Sequence, residues 1–459
     1  MAVSLHQRFG PERFGPERCG TVARAPVTSG AVAETFQAPR GTRDIVAPES
    51  ERWRVLVQRF AVAAGRAGYQ AVIPPMFEDL GVFLRVGEST DVVRKEMFLL
   101  AEREGEVRQA LRPEQTASVC RMFAQHRPAT PWKAWYAGSN FRYERPQKGR
   151  YRQFDQVGAE VLGTDDSEAD VEIIALAWRF YQELGLRQVR LLLNSLGDGA
   201  GRAAYVAALR SHFETNLDAL SAQSRQTLAA NPLRVLDSKR PEDAELVAAA
   251  PAMVDHLSDE DGAHFDTVRS GLDALSIPYT LAPRLVRGLD YYTRTTFEFA
   301  AEALDAAQTA VGGGGRYDGL VADLGGPAVA GVGFALGVDR ILLACDAEGV
   351  FGPPEPAVDV FVVCTVAGTV ALRLADELRQ AGIGADRAYD GRSMKSQMKA
   401  ADRSGARLAL IVGSQELEDG VVTVRPLRAG GEQHRVARDE LIRTVRDELI
   451  LPVRSELER

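Results

Sequence analysis

The chain has 459 residues, 45% of them hydrophobic and 26% charged, with a formal net charge of −8. That length supports two or three packed domains, and the acidic balance excludes a protein that coats nucleic acid non-specifically while leaving room for local basic sites. Four scattered cysteines without a CxxC pair, six histidines without paired metal-ligand spacing and no run of roughly 18 apolar residues argue against a disulfide framework, a metal site and a membrane span. A reducing, cytoplasmic setting fits.

Residues 1–36 open on the tandem repeat RFGPERFGPER and continue without helical or strand period. They read as a disordered N-terminal extension, and Glu12 and Glu17 among the arginines count against a mitochondrial presequence. Folded structure is expected from residue 37. Pro48-Glu49-Ser50 leads into an amphipathic helix with Trp53, Leu56, Val57 and Phe60 at helical spacing. GYQAVIPPMFED reads as a strand ending at Pro74-Pro75, and MFLLAEREGEVRQALRP as a hairpin turning at Glu104-Gly105. WKAWYAGSNFRYE and YRQFDQVGAEVLG form a second hairpin around a basic loop.

From about 196 to 276 the chain is rich in Ala, Leu, Asp and Arg at helical spacing, a helical insertion within a strand-rich unit spanning 37–347. Strand patterns resume with YTLAPRLVRGLDYYTRTTFEFAA, AVGGGGRYDGLV and AVAGVGFALGVDRILLAC. The prolines and glycines of EGVFGPPEPAVD mark a linker at 348–357. Beyond it, 358–459 alternates strands and helices, as expected of a separate α/β domain with a mainly parallel sheet.

The basic hairpin carries the chemistry. Alternation places Arg152, Phe154, Gln156, Gly158 and Glu160 on one face of its second strand, and Asn140, Arg142 and Glu144 on one face of its first. On pattern alone this polar row faces either solvent or a cleft. Facing a cleft, the planar forks of its arginines suit phosphates and Phe154 suits a flat base. Gln156 and Glu160, about 13 Å apart along the strand, could grip opposite ends of a molecule the size of an amino acid. GGGGRYDG is not followed by Lys-Ser/Thr, so it is no Walker loop; its glycines permit close backbone approach beside the site.

FRYERPQKGRYRQFDQVGAE resembles motif 2 of the class II aminoacyl-tRNA synthetases, GVGFALGVDRILL resembles motif 3, and GYQAVIPPMFEDL is similar to motif 1. LRPEQTAS and RGLDYYTRTTFEF resemble the histidine-specific segments of the histidyl-tRNA synthetase family, and YDGRSMKSQMKAADRSGARLALIVG resembles its anticodon-binding domain. The resemblance runs from about Gln37 to the end. It implies a class II antiparallel-sheet catalytic core with a helical insertion and a C-terminal α/β anticodon-binding domain. It also implies a homodimer that joins histidine to its tRNA through histidyl-adenylate, with ATP as substrate and Mg²⁺.

Carried over by motif, the resemblance assigns Arg142 to the α-phosphate, Glu144 and Phe154 to the adenine, and Arg150 and Arg340 to the outer phosphates. Glu114, Thr116 and Gln156 would take the α-amino group of histidine, and Glu160, Tyr291 and Tyr292 would complete the histidine pocket around its imidazole. Arg287 would be the catalytic cation that meets both the α-phosphate and the substrate carboxylate. For the tRNA, the basic loop suits Gln147 and Lys148 to the acceptor end, and the i,i+4 spacing of Lys395 and Lys399 suits either the phosphates of the anticodon arm or a plain solvated helix face. Two rivals are a non-catalytic paralogue, which usually lacks the anticodon domain or these arginines, and a binding module, which has no use for two phosphate-facing arginines.

Overall fold

The computed structural model describes residues 35–87, 90–101, 107–238, 240–304, 309–355, 358–389, 391–428 and 431–457. The first 34 residues of the expected extension and the turn at Glu104-Gly105 lie outside these. In chain order the strands are β1 (Gln70–Ala71), β2 (Phe77–Asp79), β3 (Leu99–Ala101), β4 (Val107–Leu111), β5 (Trp132–Phe141), β6 (Gln153–Leu162), β7 (Val189–Ser195), β8 (Tyr279–Leu281), β9 (Thr293–Ala301), β10 (Ala310–Arg316) and β11 (Gly331–Gly337). A smaller module follows with β12 (Val360–Cys364), β13 (Ala385–Arg387), β14 (Leu408–Val412), β15 (Val421–Pro426) and β16 (His434–Ala437).

Eight strands form one sheet in the order β1-β5-β6-β11-β10-β9-β7-β8. Its six central strands are antiparallel, and only the short edge strands β1 and β8 pair in parallel. One face is covered by helices. α1 (Glu49–Arg66) starts after Pro48 with Glu49 and Glu51 in its first turn, where carboxylates complement the helix dipole. It buries Leu56, Phe60 and Ala64, four residues apart, on the stripe read from the sequence. α2 (Glu168–Glu183), α3 (Asp259–Ala274) and α4 (Val338–Glu348) share this layer. Their apolar residues meet Val157, Ala159 and Val161 of β6, Phe297 and Phe299 of β9, and Phe334 and Leu336 of β11 in one core.

The helical stretch between β7 and β8 is present and divides in two. Its earlier helices build their own small core around Tyr205, Leu209 and Phe213. Its last helix, α3, instead packs Phe265, Val268 and Leu272 into the core of the large sheet.

The C-terminal sheet has the order β13-β12-β14-β15-β16. β12 pairs in parallel with β13 and β14, whereas β15 and β16 are antiparallel, so the sheet is mixed rather than mainly parallel. Strand β16 carries little apolar signal: three of its four residues are exposed and only Val436 is buried, which is why alternation missed it.

Candidate active site

β5 and β6 pair in a register that sets Asn140 opposite Phe154, Gly138 opposite Gln156, and Ala134 opposite Glu160. The polar row of β6 therefore lies on the face away from the helices, while Val157, Ala159 and Val161 face the core. β5 ends at Phe141, so Arg142 and Glu144 stand on the loop just past the strand. Arg287 likewise lies on the loop between β8 and β9, not on a strand as expected: Pro283 and a turn from the Leu285 N–H to the Ala282 carbonyl end the pairing.

These loops converge. A cleft of about 220 Å³ is lined by Arg142, Glu144, Arg150, Phe154, Gln156, Arg287 and Arg340 together. Arg142 donates from Nε to the Pro113 carbonyl (2.9 Å) and lies 5.2 Å from the Phe154 ring centre. Burial pulls its pKa down, opposed by the Glu96 and Glu114 carboxylates, and it remains a guanidinium. Arg287 donates to Oε2 of Glu298 at 2.7 Å, not to Asp290, which is held by Arg234. Arg340, in the first turn of α4, donates to the carbonyls of Gly149 (3.1 Å) and Ala310 (2.8 Å). Burial and then the nearby Arg150 and Arg142 lower its pKa; no described carboxylate forms an ion pair with it. Arg150 is paired with Glu144. Arg152 is not in the lining: its guanidinium stacks 3.8 Å from the Tyr143 ring centre.

Four residues farther along the inner face of β6, Glu160 is completely buried. It accepts hydrogen bonds from Thr116 Oγ1 (2.8 Å), Tyr136 (3.0 Å) and Tyr317. Burial pushes its pKa up to about 8 even though these hydroxyls favour the charged form. Glu114 accepts from the backbone N–H groups of Thr116 (2.6 Å) and Ala117 (2.9 Å), anchoring the start of the helix Thr116–His126. Tyr291 and Tyr292 lie 4.7 Å apart at their ring centres, and Tyr317 stands edge-on to both. Gln156 accepts from Asn140 Nδ2 at 2.8 Å.

Two glycines make this possible. A Cβ on Gly313 of β10 would stand 2.7–2.8 Å from the terminal nitrogens of Arg287, and one on Gly333 of β11 would overlap the Glu160 carboxylate. Beneath them Arg316 is fully buried and pairs with Asp170 of α2, with Nη1 also reaching Asp318 at 3.2 Å, so the chain entering Tyr317 is pinned.

The structure thus gathers the residues that the resemblance assigns to the nucleotide in one cleft, and Glu114, Thr116, Glu160, Tyr291 and Tyr292, which it assigns to histidine, in an adjoining closed cluster, with Gln156 between. Gln147 and Lys148 are exposed on the hairpin loop, and Lys395 and Lys399 are exposed on the helix Met394–Arg403 of the other module. Sequence reasoning missed Glu298, Tyr136 and Tyr317, and it offered Asp339 as a partner for Arg340, whereas Asp339 is held by Arg43. Glu298 had a signal, a lone carboxylate in the alternating TFEFA, and so had Tyr136, a diagonal neighbour of Glu160 within the hairpin read from the sequence; Tyr317 had none, because its acceptor lies two strands away.

Residues 41–341 match the family model described as histidyl-tRNA synthetase, and residues 359–448 the one described as anticodon binding domain. The chain is 50% identical over 417 residues to the histidine–tRNA ligase of Rhodococcus erythropolis, covering 89% of this chain and 97% of that protein. It is 46% identical over 415 residues to that of Geobacillus kaustophilus, covering 88% and 97%. Among solved structures it is similar to apo histidyl-tRNA synthetase of S. aureus, with a TM-score of 0.75, 35% identity and coverage of 90% of this chain and 100% of that one.

Proposed function

The chain belongs to the histidyl-tRNA synthetase family, and from that premise we propose how its own residues divide the work. The reaction is the ATP-dependent ligation of histidine to tRNA. The histidine carboxylate attacks the α-phosphorus of ATP, the bond to the β-phosphate oxygen breaks, and histidyl-adenylate and pyrophosphate form. A hydroxyl at the 3′ end of the tRNA then takes the histidyl group and AMP leaves.

The first step needs no base, because the nucleophile is already ionised above pH ~4. Catalysis comes from alignment and from charge stabilisation at the five-coordinate phosphorus. Arg142 and Arg287 supply two guanidiniums to it, and the observation that carries this reading is that both line a single cleft. Arg340 and Arg150 hold the outer phosphates, and Phe154 and Glu144 meet the adenine. Nucleotide entry releases Arg150 from Glu144 and Arg287 from Glu298. Bound with ATP, Mg²⁺ would neutralise phosphate charge; of the four carboxylates that line the cleft, Glu144, Asp155, Glu298 and Asp339, the two freed by nucleotide entry, Glu144 and Glu298, would hold it.

Glu160, backed by Thr116, Tyr136 and Tyr317, addresses the imidazole with Tyr292 and Tyr291, while Glu114, Thr116 and Gln156 take the α-amino group. Apolar side chains would leave this buried carboxylate and its hydroxyls unpaired, and such sites discriminate by roughly 10⁴–10⁵ without editing. Gln147 and Lys148 touch the acceptor end, and Lys395 and Lys399 the anticodon arm.

The active form is a homodimer, supported by the motif 1 stretch, which leaves Ile73 91%, Met76 57% and Phe77 51% exposed. The protein works in the cytoplasm, consistent with unpaired Cys120, Cys345 and Cys364. No described helix is long and apolar enough to cross a membrane. ATP–pyrophosphate exchange across all amino acids tests the assignment: exchange is expected with histidine alone, and equal rates with several amino acids would overturn it.

A further inference from the structure

The walls of the nucleotide cleft carry four arginines, Arg142, Arg150, Arg287 and Arg340, and four carboxylates, Glu144, Asp155, Glu298 and Asp339. Taken alone such a wall is neutral and has little attraction for a triphosphate. Glu144 and Glu298 are engaged by Arg150 and Arg287, and Asp155 accepts from Ser139 at 2.7 Å. Asp339 is the exception, because it is neutralised by a cation from outside the cleft. Arg43, which stands in a neighbouring hollow of about 400 Å³, reaches Asp339 Oδ1 at 2.7 Å from behind. Asp339 is also the immediate neighbour of Arg340, the phosphate-facing arginine with no described carboxylate partner.

We propose that Arg43 is a positioning residue for nucleotide binding: by holding Asp339 it keeps that carboxylate off Arg340 and leaves the cleft with one net positive charge for the phosphates. Its guanidinium makes two further contacts that fix its place. It pairs with Glu49 at the start of α1 (2.9 Å) and lies 5.0 Å from the ring centre of Tyr151, which lines both hollow and cleft. Two residues before it, the Gly41 carbonyl accepts from the Arg152 N–H at 2.8 Å, tying the same segment to the base of the basic loop. The segment 41–43 is therefore a strap behind the phosphate site. Without Arg43, Asp339 turns to Arg340 or stands bare beside the triphosphate; both weaken the nucleotide and leave the histidine cluster untouched.

This rests on Arg340 being a phosphate ligand, and the experiment separates the two. ATP and histidine KM and kcat are measured by pyrophosphate exchange for Arg43→Gln, Arg43→Lys, Glu49→Gln, Arg340→Ala and the double variant Arg43→Gln/Asp339→Asn. Arg43→Gln is expected to raise the KM for ATP on the order of tenfold while the KM for histidine changes less than about twofold. Removing the freed charge in the double variant restores the ATP KM to within about threefold of the parent. Arg43→Lys, which keeps a charge but loses the planar fork, gives a milder defect relieved by the same second change and serves if Arg43→Gln folds poorly. Glu49→Gln is expected to behave as the parent. A defect that Asp339→Asn does not relieve, or an equal defect in Glu49→Gln, overturns the proposal by reducing Arg43 to a packing role. A normal ATP KM in Arg43→Gln beside a defective Arg340→Ala overturns the role of Arg43 alone; a normal Arg340→Ala overturns the phosphate-site reading and this inference with it.

Discussion

Replacing Glu160 by Gln tests the buried carboxylate through its thermodynamics, independently of activity. The folded protein raises the pKa of Glu160 from 4.5 to about 8. A carboxyl whose pKa is raised on folding contributes stability that is complete below its unfolded value and is lost as pH climbs toward the folded one. At about 1.36 kcal/mol per unit, the loss on ionising Glu160 totals roughly 5 kcal/mol, of which about 3 kcal/mol falls between pH 5.5 and 8.5. Gln has nearly the same shape, accepts from Thr116 and Tyr136, and does not titrate. The Glu160→Gln variant should therefore gain on the parent by about 3 kcal/mol over that interval while losing histidine activation. All four tryptophans, Trp53, Trp132, Trp135 and Trp178, lie in the larger module. Urea unfolding followed by their fluorescence at pH 5.5, 7 and 8.5 thus reports the unit that contains Glu160. Parallel stability profiles for the two proteins would refute the reasoning, since the carboxylate would then be no worse off folded than unfolded.

Arg287→Ala should keep its melting temperature within a few degrees and lose on the order of 10²-fold or more in adenylation; normal exchange removes Arg287 from the mechanism. Gly313→Ala places a methyl group against the Arg287 guanidinium and the Phe297 carbonyl. Its exchange rate should fall about as far as that of Arg287→Ala, with roughly 1–2 kcal/mol of destabilisation in the same urea assay. Arg316→Met leaves the fully buried Asp170 with only His264, 3.5 Å away, and should cost about 3–5 kcal/mol. Adding Asp170→Leu should recover part of that loss in the tryptophan-monitored transition, because removing both charges costs less than orphaning one.

Alternation along a strand made the basic hairpin readable: two-residue periodicity alone put Phe154, Gln156 and Glu160 on one face, where the register with β5 has them. Helical spacing did the same for Leu56 and Phe60. Partners across the fold were another matter. Tyr317 reaches Glu160 over 157 residues and Arg43 reaches Asp339 over 296, separations on which local periodicity is silent. The placing of Arg287 in a loop, the departure of Arg152 toward Tyr143 and the antiparallel half of the small sheet were likewise decided by tertiary pairing, with exposed edge residues leaving no hydrophobic trace. The motif arginines could be named from the sequence, whereas the carboxylates that restrain them needed the folded chain.

The bare backbone at Gly333 has an implication for how this pocket could ever change its substrate. The position is occupied, in effect, by a side chain from another strand, so residues 160 and 333 form one unit divided between β6 and β11. A step that first enlarges 333 evicts the carboxylate. A step that first removes the carboxylate leaves a void and strands the hydroxyls of Thr116, Tyr136 and Tyr317. With Glu160 as the imidazole ligand proposed above, either intermediate is expected to be a poor ligase for any amino acid, and a mutational route to a new specificity must change both residues together.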